Sequence, residues 1–334
     1  MTNSTATSRV KLMQLNAENL FLFLDEELPA NWQSLPEKQW QNLSRASVSN
    51  KSLEKLKRLA STILEEKPHV VGLNEVGGEE SIQNFSKLFL EDLYDAYLVE
   101  GNSDRGIDVG YLVLKSWGKK FELTSYKDRP INFLYPHEKA ASSAKTSHMF
   151  SRDCAELKIF AGEDHKDPEM ILFLVHLKSK LDPEGIDPFG NLRRGAEVQT
   201  LLEIYKESKE KHPGVPKAVL GDFNGVARED GHEMEFQGIY QESDLKNALE
   251  LAKIEGEFYA TQVQFSRMGQ RTLLQFDYIF LSEELHHRLV VEETFVYRYR
   301  NEMGIHSSLP TNFDEKLALP SDHYPVVVTL DFSN

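Results

Sequence analysis

The stretch LPSDHYPVVVTL, residues 319–330, sets an acid and an imidazole against a run of strand formers. Pro325 to Leu330 reads as a buried strand, rich in valine and bounded by turn residues. Ser321, Asp322 and His323 stand directly before it. Alone, Ser-Asp after Pro320 is ordinary turn chemistry, because both side chains hydrogen-bond nearby backbone. The reading turns on whether other apolar strands carry polar residues at their ends.

They do. VKLMQLNAENLF (10–21) runs as an apolar strand into Asn16 and Asn19, and HVVGLNEVGG (69–78) into Asn74 and Glu75. MILFLVHLKSK (170–180) reaches His176, KAVLGDFNG (217–225) ends in Asp222 and Asn224, and FDYIFLS (276–282) opens on Asp277. Two more apolar runs, GIDVGYLVLK (106–115) and CAELKIFA (154–161), adjoin Asp108 and Arg152. A desolvated lone carboxylate is costly, so acids at strand ends want a metal, a partner or water. Ligand sites in open α/β sheets gather at the carboxyl ends of strands, where Asn16, Glu75, His176 and Asp222 fit. The set offers oxygen donors and imidazoles, with no thiolate ligand and no HExxH motif. Hard oxygen ligands suit Mg²⁺ or Mn²⁺.

Helices fall between these strands. NKSLEKLKRLASTILEEKP (50–68) puts Leu53, Leu56, Leu59, Ile63 and Leu64 on one face and stops at Pro68. A second helix fits 79–93 and a third fits 191–213. Strands alternate with helices early and cluster later, which predicts a mixed sheet or two sheets flanked by helices. Residues 136–150 read as a loop, and 226–275 give little pattern. No Pro/Gly/Ser linker divides the chain, so a single domain over 10–334 is expected after a flexible polar segment, 1–9.

The 334 residues carry 38 Lys and Arg against 53 Asp and Glu, a formal charge of −15 that repels polyanions unless a site concentrates positive charge locally. One cysteine, Cys154, forbids an internal disulfide and suits a reducing compartment. No secretory signal and no membrane-length apolar run are visible, so a soluble cytoplasmic protein is expected. Lys178, Lys180, Arg193 and Arg194 form a basic cluster that reads equally as a phosphate-backbone rail or a solvated face. Trp32 and Trp40 could stack bases or pack the core.

The pieces LMQLNAENL, VVGLNEV, RGIDVGYLVL, FSRDCAELKIF, VHLKSK, GDFNG, FDYIFLS and SDHYPV, in this order from about residue 10 to 332, resemble the endonuclease/exonuclease/phosphatase superfamily. That group includes pancreatic-type deoxyribonucleases, abasic-site endonucleases, neutral sphingomyelinases and inositol-polyphosphate 5-phosphatases. The resemblance implies an α/β (α+β) fold, a four-layer α/β/β/α sandwich of two mixed β-sheets flanked by helices, with the site between the sheets' upper edges. It implies Glu75 as main metal ligand, helped by Asn16 and Asp322, for Mg²⁺ or Mn²⁺. Asp222 would orient or deprotonate the attacking water and Asn224 would hold a phosphate oxygen. Asp277 would pair with His323, Asp108 with His176, and both histidines would meet the phosphate. Arg152 would bind it as well, and Lys178 of the basic cluster is a further expected phosphate contact. In NEVGG, Gly77 and Gly78 stand where the deoxyribonuclease branch often has an arginine, leaving nothing basic or aromatic there to grip a minor groove.

A phosphodiester needs in-line attack, charge neutralisation on its nonbridging oxygens and a stabilised leaving oxygen, which these residue types supply. The expected function is therefore a metal-dependent phosphodiester hydrolase, in first place a nuclease with a nucleic-acid substrate. A phosphatase or phosphodiesterase acting on a small or lipid-linked phosphoester is the alternative. A catalytically silent interaction module is a third reading, against which the intact acid set argues.

Overall fold

In the computed structural model, residues 8–141, 146–301 and 303–333 are described; most of the expected flexible segment, residues 1–7, and residues 142–145 of the 136–150 loop lie outside them. Each half of the chain is built on a parallel strand pair closed by a helix. β1 (Arg9–Leu20) and β2 (Val70–Val76) pair in parallel, and the Leu53–Glu66 helix crosses between them. Ser52 caps that helix by accepting the Lys55 N–H, and Lys67, at φ 45°, ends it in the left-handed region. Antiparallel neighbours extend the sheet to the order β13-β14-β1-β2-β4-β3, with β3 (Tyr94–Leu98), β4 (Asp108–Leu114), β13 (Phe295–Val296) and β14 (Val326–Asp331).

The second half repeats the scheme. β7 (Met170–His176) and β8 (Lys217–Asp222) pair in parallel around the Asn191–Lys211 helix. The sheet runs β5-β6-β7-β8-β12-β9, adding β5 (Lys120–Ser125), β6 (Cys154–Phe160), β9 (Lys246–Asn247) and β12 (Asp277–Leu281). A separate ribbon, β10 (Gln262–Phe265) with β11 (Arg271–Leu274), bridges to the C-terminal segment at Gln262 and His323.

Alternation along the strands sorts side chains into layers. Leu172 and Leu174 of β7, Ala218 and Leu220 of β8, and Ile279 and Leu281 of β12 join the core shared with the first sheet. Ile171, Phe173 and Val175 instead pack under Val198, Leu201, Leu202 and Tyr205 of the Asn191–Lys211 helix. Leu53, Leu56, Leu59 and Ile63, together with Ile82 and Phe85 of the Gly78–Phe89 helix, cover the outer face of the first sheet. The result is the expected four-layer sandwich of two mixed sheets flanked by helices. Burial of a large apolar side chain contributes about 1.5–3 kcal/mol, so these layers dominate the folding energy.

The sheets approach closely at Gly72, where any larger side chain would press on the opposite sheet. A Cβ on Gly72 would lie 3.0 Å from Leu174 Cδ1 and 3.5 Å from Leu220 Cδ2, both on the opposite sheet. Trp40 is fully buried and packs on Trp32 and Phe89, so core packing is the role of these tryptophans rather than base stacking. Among the described residues, no helix is long and apolar enough to cross a membrane.

Candidate active site

Parallel strands place their carboxyl ends together, and an antiparallel neighbour starts where its partner ends. That geometry brings the polar strand ends to one edge. His176 pairs in register with Asp222, Asp222 with Asp277, and Asn16 with Asn74. His323 arrives from the segment leading into β14, which runs antiparallel to β1. Ser321 fixes this arrival: its hydroxyl donates to the Asn16 carbonyl at 2.7 Å and accepts the His323 N–H at 3.1 Å.

Asp222 is the hub. Its Oδ2 accepts from Asn16 Nδ2 at 2.9 Å and lies 3.6 Å from His176 Nε2 and 3.9 Å from His323 Nε2. Its Oδ1 accepts the Asn224 N–H at 2.8 Å, and its own N–H donates to Asn74 Oδ1 at 3.0 Å. Asn74 reaches across the sandwich, donating to the Val175 carbonyl at 3.0 Å, so one side chain ties the two sheets at the site. His323 Nδ1 contacts Asp277 Oδ2 at 2.7 Å, the pairing expected from sequence. Gln262 Nε2 sits 2.7 Å from His323 Nε2 and 3.4 Å from Asp322 Oδ2.

Burial raises the Asp222 carboxyl well above the ordinary acid range, although His323 nearby pulls it the other way. His323 is desolvated, yet the Asp277, Asp222 and Asp322 carboxylates outweigh burial and hold its pKa well above the usual histidine value. Burial, with Arg152, His323 and Arg105 adding positive charge, drives His176 the opposite way and keeps it neutral. The edge thus holds one charged imidazole, one neutral imidazole and a carboxylate between them. Such a group can move a proton.

Arg152 is nearly buried, with an unpartnered Nε, and its guanidinium feels Glu197, Glu75 and Asp222. Glu75 belongs to the same edge: Oε1 is 3.4 Å from Asn16 Nδ2, and Oε2 accepts the Asn19 N–H at 3.1 Å. Glu75 holds φ 60°, as Glu18, Asn19 and Asn224 hold φ 49°, 56° and 51°. Left-handed backbone costs a non-glycine residue about 1–2 kcal/mol, and strain of this kind concentrates at functional sites.

Several expectations need correction. Asp108 does not pair with His176: it accepts the Gly101 N–H at 2.8 Å, while His176 Nδ1 is buried without a partner. Asn16 turns its amide nitrogen, not its oxygen, toward the carboxylates, because Oδ1 takes the Glu18 N–H at 2.9 Å. Asn224 spends its amide on the Leu177 carbonyl at 3.0 Å and braces Asp222 instead of facing outward. Lys178 folds back onto the Ser179 and Leu181 carbonyls. The basic cluster is neither rail nor solvated face: Arg194 is fully buried against Glu235 at 2.6 Å, and Lys180 pairs with Glu233 at 2.6 Å.

Among the described residues, Asp222, Asp277 and His323 bring one donor atom each within 4.8 Å of one another and could hold a metal ion. Asp277 Oδ1 is buried with no partner, so this group has a lone pair to offer. Glu75 and Asp322, the acids named from sequence, flank it, the latter 3.2 Å from Lys316 Nζ. Sequence reasoning missed Gln262 and named Asn74 only as a strand end, without a site role. Asn74 had a signal in GLNEV, a polar residue inside a buried run; Gln262 lies in the stretch without pattern.

No protein-family model matches the sequence, and no curated protein matches it. Solved structures do. The human Nocturnin catalytic domain with bound sulfate superposes at TM-score 0.60 with 16% identity, covering 98% of this chain and 96% of that one. A Bacteroides thetaiotaomicron endonuclease/exonuclease/phosphatase family protein matches at TM-score 0.56 and 15% identity over 97% and 98% of the two chains. D. rerio TDP2 complexed with a single-strand DNA product matches at TM-score 0.56 and 15% identity over 97% and 99%. Two six-stranded mixed sheets packed face to face between helical layers are thus the fold that this chain shares with these solved structures, among them an endonuclease/exonuclease/phosphatase family protein.

Proposed function

We propose that the chain is a divalent-metal-dependent phosphodiester hydrolase, and specifically a nuclease that cleaves DNA or RNA by attack of water. The observation that carries this reading is the Asp222 hub, where Asn16, His176 and His323 converge on one carboxylate oxygen from both sheets. The neighbour solved with a single-strand DNA product supports a nucleic-acid substrate. Because both sheets supply residues, 10–334 acts as one domain, and the lone buried Cys154 supports a cytoplasmic setting.

Asp222, raised toward neutrality by burial, accepts a proton from the attacking water. Cationic His323, held by Asp277, donates from Nε2 to the phosphate once Gln262 yields that position. Arg152 adds a second positive charge, and neutral His176 offers an N–H from the other side. Asn224 keeps Asp222 aimed. Mg²⁺ or Mn²⁺ supplies charge neutralisation on the phosphate oxygens. Glu75 and Asp322 would hold it, with Asn16 if its amide reverses, and the Asp222–Asp277–His323 group is the competing cradle.

The test is a substrate panel with Mg²⁺ or Mn²⁺: duplex and single-stranded DNA, RNA, bis(p-nitrophenyl) phosphate, inositol phosphates and sphingomyelin. Turnover of nucleic acid that EDTA abolishes and either cation restores is expected. Glu75→Gln should weaken calorimetric Mg²⁺ binding and remove most activity. Exclusive turnover of a monoester, or full activity after chelation, would overturn the reading.

A further inference from the structure

Beside the centre lies an open groove of about 730 Å³ whose lining includes Glu18, Asn19, Lys51, Lys55, Asp104 and Arg105. It is continuous with the site. Asn19 donates its N–H to Glu75 and accepts Arg105 Nη2 at 2.7 Å on its side chain. Lys51, nearly buried, donates to the Glu18 carbonyl at 2.8 Å and lies close enough to Asp322 for each to shift the other's titration. Lys55 pairs with Glu18 Oε2 at 3.1 Å.

Three cations therefore face two carboxylates in a chain whose formal charge is −15. Lys180 pairs with Glu233, Arg194 with Glu235 and Lys178 with carbonyls, whereas in the groove Lys51 and Lys55 share the single carboxylate of Glu18 and Arg105 holds only the neutral Asn19. None of the groove's cations is among the groups that meet the reacting phosphate in the proposed step, although Arg105 adds positive charge at His176. An ester with one phosphate at the Asp222 hub would leave the groove empty, whereas a strand carries its next phosphate beyond the reacting one.

We propose that this groove binds the phosphodiester adjacent to the scissile one in a nucleic-acid strand, with Lys55 and Arg105 meeting its oxygens and Lys51 holding Glu18 back. The inference rests on the nuclease reading and deepens it. Each single-strand phosphate neutralised contributes a salt-dependence slope of about 0.7, so losing the grip on this one phosphate should flatten the slope by about 0.7.

The experiment measures anisotropy of a fluorescein-labelled pentathymidylate in EDTA, where neither metal nor turnover intervenes. The Lys55→Ala/Arg105→Ala double variant should bind on the order of tenfold more weakly with the flatter slope. Arg105 is exposed, so Arg105→Glu folds and should weaken binding more than Arg105→Ala. Lys206→Ala, a surface cation paired with Glu242 on the far helix, should bind as wild type does. Hydrolysis of bis(p-nitrophenyl) phosphate, which has one phosphate, should stay within about twofold in Lys55→Ala, whose side chain pairs only with Glu18. Equal affinity and slope in wild type and double variant, or no wild-type binding at low salt, would overturn the proposal. A wild type that turns over neither nucleic acid nor bis(p-nitrophenyl) phosphate with Mg²⁺ or Mn²⁺ would instead sink the hydrolase reading, with the binding comparison unaffected.

Discussion

His323 is held from three sides. Asp277 grips Nδ1 at 2.7 Å, Ser321 fixes its backbone N–H, and the Tyr299 hydroxyl donates to its carbonyl at 2.6 Å. A turn histidine would not need that scaffolding. If it donates to the phosphate, His323→Ala should lower kcat by about 10²–10⁴-fold while the fold persists. Asp277→Asn should reproduce much of the loss, because an amide cannot hold imidazolium as a carboxylate does. The double variant should fall far short of the product of the two single losses, since residues acting as a unit are non-additive. Melting curves separate lost folding from lost chemistry. Near wild-type kcat in folded His323→Ala would end the assignment.

At the scale of elements, the strands legible in the sequence are the central ones. β1, β2, β4, β6, β7, β8, β12 and β14 are rich in apolar residues because both faces are largely covered. The edge and ribbon strands were not legible. KFELTS in β5 and RTLL in β11 are half-exposed and mix polar with apolar residues, and the two-residue β9 and β13 are too short to carry a period. The site followed the same division: Glu75, His176, Asp222 and His323 stood at ends of legible strands, while Gln262 entered from the ribbon. Lys178 and the Asp108–His176 pairing failed because side-chain direction after a strand end depends on neighbours that no spacing encodes.

The junction of β5 and β6 carries its own prediction. Asp153 accepts the Tyr126 N–H at 2.9 Å, but its Oδ2 is buried without a partner, and burial pushes its carboxyl up to about 7. The unfolded value is about 3.9. The folded state therefore prefers the protonated form, so this residue's effect is neutral below about pH 4 and costs stability as pH rises toward 7. Asp153→Asn escapes that cost. Its melting temperature should exceed wild type by several degrees at pH 8, and the difference should vanish near pH 4. An equal difference at both pH values would show that the carboxyl is not the cause.

At the scale of the molecule, the polar edge exists only where the two sheets meet, so the proposed chemistry depends on their spacing. The first sheet brings Asn16, Asn74 and Glu75; the second brings His176, Asp222 and Asp277. Gly72 sets the gap two residues below Asn74, and even a single Cβ there would press on Leu174 at 3.0 Å. Gly72→Val should therefore cost about 1–3 kcal/mol by overpacking. It should also widen the 2.9 Å contact between Asn16 and Asp222 and lower kcat beyond what lost stability explains. Leu59→Ala is the control: it empties buried volume on the outer face of the first sheet, costs about 2–5 kcal/mol, and leaves the gap alone. Assayed at a temperature where both variants are fully folded, Leu59→Ala should keep near wild-type kcat and Gly72→Val should not. Equal kcat in the two would mean that the sheets can part at Gly72 without disturbing the edge they build together.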